Sequence, residues 1–288
     1  MSWYIDFILA TIRAATPVIY CALGVLIAER SGVIHMGVEG VMLVGALSAI
    51  LGTVFGGSVW MGILFALITG ILTGILLAAI SVKLPTDQVV VGIAFNLAAL
   101  GVTSYVYRLA GEKAQEMVPM IKPLFLGLSP FEIFAFALTA LTWWFLFKTG
   151  AGLKMRSVGE NAVAADAAGI NVMKVRTTAL IVASVLSSMG GAALTVGWVR
   201  VFTDNVTQGR GFIAMAAVYF GKWNPILAAL ATIIFGGGEA LAFRSQAMGS
   251  SLSPYYYFML PYVLTLLVVS LSGKMRGPAD VGKIYLRR

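Results

Sequence analysis

Only one cysteine and one histidine occur in the 288 residues. A lone Cys21 excludes an intrachain disulfide, and a lone His35 leaves no imidazole pair for a zinc or haem site. Charge is scarce as well. Charged residues make up 11% of the chain, against about a quarter in an ordinary soluble domain. There is no HExxH, no GxSxG, no aspartate cluster and no phosphate-cradling GxxxxGK[ST] segment. Those absences leave no catalytic centre, no cofactor, no metal site and no nucleotide hydrolysis by that route. Energy for any transport must come from a partner or an ion gradient. The opening MSWYIDFILA has neither the basic region nor the small-residue cleavage pattern of a signal peptide, so the first span is expected to be retained.

What is present is overwhelmingly apolar, with 59% hydrophobic residues. Repeated apolar runs of about 20 residues match a hydrocarbon core roughly 30 Å thick. The pattern predicts spans at 7–28, 33–55, 59–82, 88–109, 130–147, 177–199, 226–243 and 254–271. A shorter apolar piece, 211–221, lies between Arg210 and Lys222. The expected fold is all-α, a polytopic membrane helix bundle forming one domain over residues 1–288.

The net charge of +8 is concentrated in loop 149–176 and tail 273–288. Basic loops of this kind mark the cytoplasmic side, which makes the charge a topology signal and gives no reason to invoke a nucleic acid partner. Two cytoplasmic segments require an even number of crossings between them. Counting 211–221 as a crossing gives about nine spans, with the amino terminus outside, the carboxyl terminus cytoplasmic and loop 110–129 outside.

Thirty-two glycines are set to let helices approach closely. Gly70 and Gly74 form a GxxxG pair, while Gly190-Gly191 and Gly236-Gly237-Gly238 are expected to interrupt later spans. Two glycine-broken segments, 31–40 and 208–225, stand at comparable places in the two halves of the chain. Paired broken helices point to a transport path, because irregular backbone at membrane depth survives only inside protein or beside a wet cavity.

Ionisable groups in or near spans are Arg13, His35, Glu39, Arg108 and Glu239. Burying such charge in a bilayer is costly. His35 and Glu39, four apart, are expected to share a helix face. Glu39 and Glu239 are candidates to line a substrate path. Asn96, two turns after Gln88, is a third candidate, with inter-helix hydrogen bonding as its competing role. Arg13 and Arg108 are expected to snorkel to an interface.

Loop 149–176, TGAGLKMRSVGENAVAADAAGINVMKVR, is the one long polar interruption. Its centre is a run of small residues that Ser157 or Asn161 can cap and Gly169 can end in a left-handed turn. A short capped helix with small side chains suits docking against a soluble partner.

Four stretches carry a family likeness: ERSGVIHMGVEGVMLVGA at 29–46, LPTDQVVVGIAFNLAALGVTSYVYR at 84–108, MRSVGENAVAADAAGINVMKVR at 155–176 and GRGFIAMAAVYFGKWNP at 209–225. With these the chain resembles the permease subunits of bacterial ABC importers for simple sugars and nucleosides. That group includes the ribose and branched-chain amino acid permeases. ERSGV followed by GVEG is most similar to the shorter permease of nucleoside-type systems, whereas ribose-type permeases tend to carry an acidic residue where His35 stands. The resemblance implies a multi-pass cell-membrane complex of this chain in lipid with an ABC ATPase subunit, a second and different permease, and an extracytoplasmic substrate-binding protein. It also implies that Gly159, Glu160, Asn161, Ala164, Ala165 and Gly169 form the helix that enters the ATPase cleft. An ion-coupled secondary transporter is the alternative. Such a protein would place ion-coordinating groups near the midplane, and the capped loop would have no purpose in it.

Overall fold

The computed structural model describes residues 2–84, 86–111, 114, 117–119, 121–247 and 277–285, with 256, 259 and 263 as isolated positions. The predicted span 254–271 lies outside the described residues apart from those isolated positions. Among the described residues the architecture is all-helical. It comprises α1 (Ser2–Arg30), α2 (Val38–Gly56), α3 (Val59–Ala78), α4 (Gln88–Ala110), α5 (Pro130–Lys148), α6 (Gly150–Glu160), α7 (Ala162–Ala167), α8 (Val172–Leu194), α9 (Arg210–Phe220) and α10 (Pro225–Ala247). Wider π-helical turns extend α3 through Ala79–Lys83 and α8 through Thr195–Val199.

Among the described residues, seven segments are long and apolar enough to cross a membrane: Tyr4–Arg30, Val38–Gly56, Val59–Lys83, Gln88–Ala110, Pro130–Lys148, Val172–Val199 and Pro225–Ser245. Arg210–Phe220 is apolar but shorter.

Helix starts follow local chemistry. The first N–H groups of a helix have no partner inside it. Asp87 Oδ1 accepts from the Val89 and Val90 N–H groups at 2.8 and 3.1 Å. Before α5, Ser129 and Glu132 form a capping box, with the Ser129 N–H donating to Glu132 Oε2 at 2.5 Å. Asn171 Oδ1 accepts from the Lys174 N–H at 3.0 Å and opens α8.

α8 is the axis of the bundle, wedged among α1, α2 and α3. Its Ser184, Ser187, Ser188, Gly190 and Gly191 are buried and leave room for neighbouring backbones. A Cβ built on Gly191 would lie 2.0 Å from Met42 O of α2, and one on Gly190 would lie 2.7 Å from Pro17 O of α1. Gly70 and Gly74 of α3 rest on α8 as the GxxxG spacing predicts, with added Cβ atoms 2.8 Å from Val185 Cα and from Ile181 Cα. Close backbone approach is how helices associate where no hydrophobic drive operates between them.

Three expectations change. The second span begins at Val38 rather than 33, because 31–37 is non-helical. The span expected from 177 starts at Val172. Neither Gly190-Gly191 nor Gly236-Gly237-Gly238 interrupts its span: α8 and α10 run unbroken past them, with Gly236 against Thr11 and Ala15 of α1.

Two glycine substitutions separate close packing from open surface. Gly191→Ala forces a methyl group into α2 and should cost about 1–3 kcal/mol. Gly101→Ala, with nothing within 4 Å of its added Cβ, should stay within about 1 kcal/mol of the parent and tend to stabilise it. Thermal unfolding in detergent reads both, and equal effects would refute the packing assignment.

Candidate functional site

The two broken segments meet. After α1, the chain turns at Gly32, whose φ of +87° is left-handed, and runs through buried or half-buried positions to Gly37. Its backbone groups, denied a helical partner, are answered from α4. Gln88 Oε1 accepts from the Ile34 N–H at 2.8 Å. Asn96 Nδ2 donates to Met36 O at 3.0 Å, and Asn96 Oδ1 accepts from the Gly40 N–H at 2.8 Å. Both ends of the Asn96 amide are therefore bound to backbone, which places this residue as a clamp on the break. His35 lies in the break itself, ahead of α2, with Nε2 3.4 Å from Ser187 Oγ. It does not share a helix face with Glu39, contrary to the spacing argument.

The second break follows the π turn of α8. Arg200, Asn205 and Gln208 all have positive φ, and α9 begins at Arg210. Glu39, in the first turn of α2 and 8% exposed, reaches across to this start. Its Oε1 accepts from Thr207 Oγ1 at 2.5 Å and from the Gly209 N–H at 2.8 Å, and its Oε2 accepts from the Gly211 N–H at 2.7 Å. The carboxylate thus satisfies donors that a helix start leaves open, and a negative charge there is favoured by the helix dipole. Gly211 is required by proximity, since an added Cβ would lie 2.7 Å from Glu39 Cα.

Arg210 completes the cluster. It is ion-paired with Glu239 of α10. Its Nη1 also donates to Val206 O and Thr207 O at 3.1 and 3.2 Å. The guanidinium lies 5.8 Å from the Trp198 ring centroid. Beside it opens a cavity of about 440 Å³ lined by Ala10, Trp198, Val199, Arg210, Ala240, Phe243 and Arg244. Glu39 and Glu239 are thereby gathered at opposite sides of one helix start, while Asn96 grips the first break from α4.

Arg210 escaped the sequence reading, which used it only as a boundary of a short apolar piece. Glu29 escaped it too. This buried carboxylate accepts from Trp223 Nε1–H at 2.6 Å and Tyr219 OH at 3.2 Å, and Arg30 Nε and Nη2 donate to Trp223 O at 3.0 and 2.8 Å. The available signal was position, since an acid in the last turn of a helix opposes the helix dipole and calls for donors from elsewhere. Arg13 binds Gly127 O at 2.9 Å. Exposed Arg108 pairs loosely with Asp204 at 3.8 Å.

Loop 149–176 holds two helices, α6 and α7, instead of one. Asn161 caps α7, with Oδ1 accepting from the Ala164 N–H at 2.9 Å. Ser157 Oγ instead donates to Lys154 O within α6. Gly169, at φ +83°, ends the turn, with the Ile170 N–H donating to Ala165 O at 3.0 Å. Of the six residues expected here, Glu160, Asn161, Ala164 and Gly169 are exposed. Gly159 and Ala165 face inward. An added Cβ on Gly159 would lie 2.3 Å from Arg30 O, and Ala165 packs with Val158, Ala162 and Val172. Val163, 71% exposed, stands on the outer surface and was not anticipated.

The match to known proteins covers nearly the whole chain. Residues 7–269 match the family described as branched-chain amino acid transport system / permease component. The guanosine ABC transporter permease protein NupQ of Bacillus subtilis is 34% identical over 96% of this chain and 95% of its own length. The nucleoside ABC transporter permease protein NupC of Lactococcus lactis subsp. cremoris is 34% identical over 95% of this chain and 94% of its own length. A second guanosine ABC transporter permease protein of Bacillus subtilis, NupP, is 28% identical over 79% of this chain and 71% of its own length. No solved structure matches significantly.

Glu39→Gln tests the junction. An amide nitrogen cannot accept, so one set of donors at the start of α9 loses its partner. Loss of a hydrogen bond to a charged group costs about 1.5–3 kcal/mol. The unfolding midpoint in detergent should fall by several degrees, and an unchanged midpoint would remove Glu39 from the junction.

Proposed function

The chain belongs to the branched-chain amino acid transport system / permease component family, and we propose on that premise that it forms one side of the path along which an ABC importer carries a nucleoside. As a permease component it is a multi-pass membrane protein and is not itself an enzyme. The single observation that carries the path is the junction at Glu39, where two helix breaks are joined by one buried carboxylate. Such breaks belong beside a conduit, where backbone is shielded from lipid by protein or water. The nucleoside assignment is supported by NupQ and NupC, two relatives that match over nearly their full length.

In this reading Glu39 and the Arg210–Glu239 pair border the path, and Asn96 holds its wall. A hydroxyl-rich solute exchanges hydrogen bonds with such groups. A conduit must bind weakly enough to release its cargo, so tight capture is left to a binding protein outside. In the same proposal the chain is a single domain of about nine crossings, counting α9 and the span that the sequence pattern predicts at 254–271, with its amino terminus outside and its carboxyl terminus cytoplasmic.

Loop 149–176 is the docking element for an ATPase subunit in this arrangement, presenting Glu160, Asn161, Val163, Ala164 and Gly169. Movement there would pass into α8, which starts at Val172 behind its Asn171 cap and leads directly to the second break. Similarity to both NupQ and NupP of one organism favours a different permease as the second subunit.

Ala164→Trp tests docking. The bulky side chain lies on the exposed face and should abolish uptake while membrane insertion persists. Ala165→Trp would disturb the inner packing and is not informative. Unchanged uptake in Ala164→Trp refutes the docking role. Substrate class is read by uptake of labelled guanosine in vesicles holding the assembled complex. Unlabelled nucleosides should compete and free ribose should not, and the reverse order would reject the nucleoside assignment.

Orientation is tested by cysteines at Lys122 and Lys283 in a Cys21→Ala background. In intact cells an impermeant thiol reagent should label only the first, and labelling of the second alone would invert the topology.

A further inference from the structure

Residues 277–285 follow every described span, yet they return to the helix pair α6–α7. The Asp280 N–H donates to Gly159 O at 2.9 Å, at the end of α6. Asp280 Oδ2 accepts from the Ala162 N–H at 2.8 Å, at the start of α7. Asp280 Oδ1 accepts from Lys283 Nζ at 2.9 Å. Two residues on, the Gly282 N–H donates to Gly32 O at 3.1 Å, inside the first break. Lys283 O accepts from Arg176 Nη1 at 2.7 Å, in the first turns of α8. Arg176 is 2% exposed, and an added Cβ on Gly32 would lie 2.8 Å from its Nη2. One short segment therefore joins the first break, both loop helices and α8.

These ties are mostly polar. Positions 277–285 are largely half-buried or exposed, so hydrogen bonds supply most of the ties, with Tyr285 packed against the Val158, Ala162, Ala165 and Val172 cluster. α7 has six residues, too few to hold its own shape without such support. Burial would raise the Asp280 carboxyl pKa. The hydrogen bonds from Lys283 and the Ala162 N–H, with the charges of Lys283 and Arg176, outweigh burial and hold it below the usual value. Asp280 is accordingly ionised at neutral pH.

We infer that Asp280 is a positioning residue for energy coupling: it fixes α7 to the first break so that displacement of the loop helices reaches the Glu39 junction. The inference rests on the reading that α6–α7 dock on the ATPase. In Asp280→Ala the docking surface remains, but α7 loses its side-chain tie to the segment that meets the first break.

The measurement is substrate moved per ATP hydrolysed by the complete complex in vesicles, together with retention of the ATPase during purification. Asp280→Ala should keep the ATPase bound and lower the ratio about tenfold, the scale expected for one lost charge-assisted hydrogen bond. A merely structural role would reduce transport and hydrolysis in proportion and leave the ratio at its parental value. That result overturns the inference. Asp280→Asn retains one acceptor oxygen, cannot serve both Ala162 and Lys283 through it, and should give an intermediate ratio. Where Asp280→Ala cannot be recovered from the membrane, a parental ratio in Asp280→Asn overturns the inference equally. Ala164→Trp separates the two readings. Normal uptake in that variant removes the docking assignment itself, whereas a block there beside a parental ratio in Asp280→Ala removes only the role of Asp280.

Discussion

A single carboxylate makes the rest of this architecture possible. Glu39 leaves the first turn of α2 and takes three donors at the start of α9. In an apolar surrounding, each of those donors left alone would cost on the order of a hydrogen bond or more. The start of α9 fixes Arg210, Arg210 fixes Glu239, and Glu239 brings α10 to the same place. Gln88 and Asn96 perform the matching task for the first break. The irregular backbone is thus maintained by a few side chains, each spent on particular N–H or C=O groups.

The remainder of the bundle works by the opposite principle. α8 presents serine and glycine to α1, α2 and α3, and the helices close until backbone nearly meets backbone. Such packing tolerates almost no added volume. This axis ends in a π turn, and the segment that follows holds positive φ at Arg200, Asn205, Gln208 and Gly209. Wider turns of this kind often accompany functional positions in helices.

Sequence alone reveals what is local. The apolar spans that fall among the described residues, the GxxxG contact of α3, the Asn161 cap and the left-handed Gly169 depend on residues a few positions apart, and these are found. The true start of α2 was hidden because Val33, Ile34 and Met36 continue the apolar pattern. The break there is specified by Gln88 and Asn96, more than fifty residues away. Gly236-Gly237-Gly238 look like an interruption, but in α10 they remain helical, with Gly236 at a close crossing over α1. Arg210 and Glu29 were legible only as charges without partners, since Glu239, Trp223 and Tyr219 are supplied by the fold. The exposed loop surface was half legible. Small residues marked it, but only the three-dimensional arrangement separates outward Ala164 from inward Ala165.

Order of synthesis gives the segment at 277–285 a further meaning. Asp280 contributes to a helix pair made more than a hundred residues earlier. A ribosome that stops before this point would release a chain whose described spans are all written but whose Ala162 N–H and Gly159 carbonyl still lack their partners. The finished surface of α6 and α7 is therefore a record that translation has passed Asp280. Any factor that recognises that surface distinguishes a chain that carries this segment from one that stops short of it, without inspecting the membrane region at all.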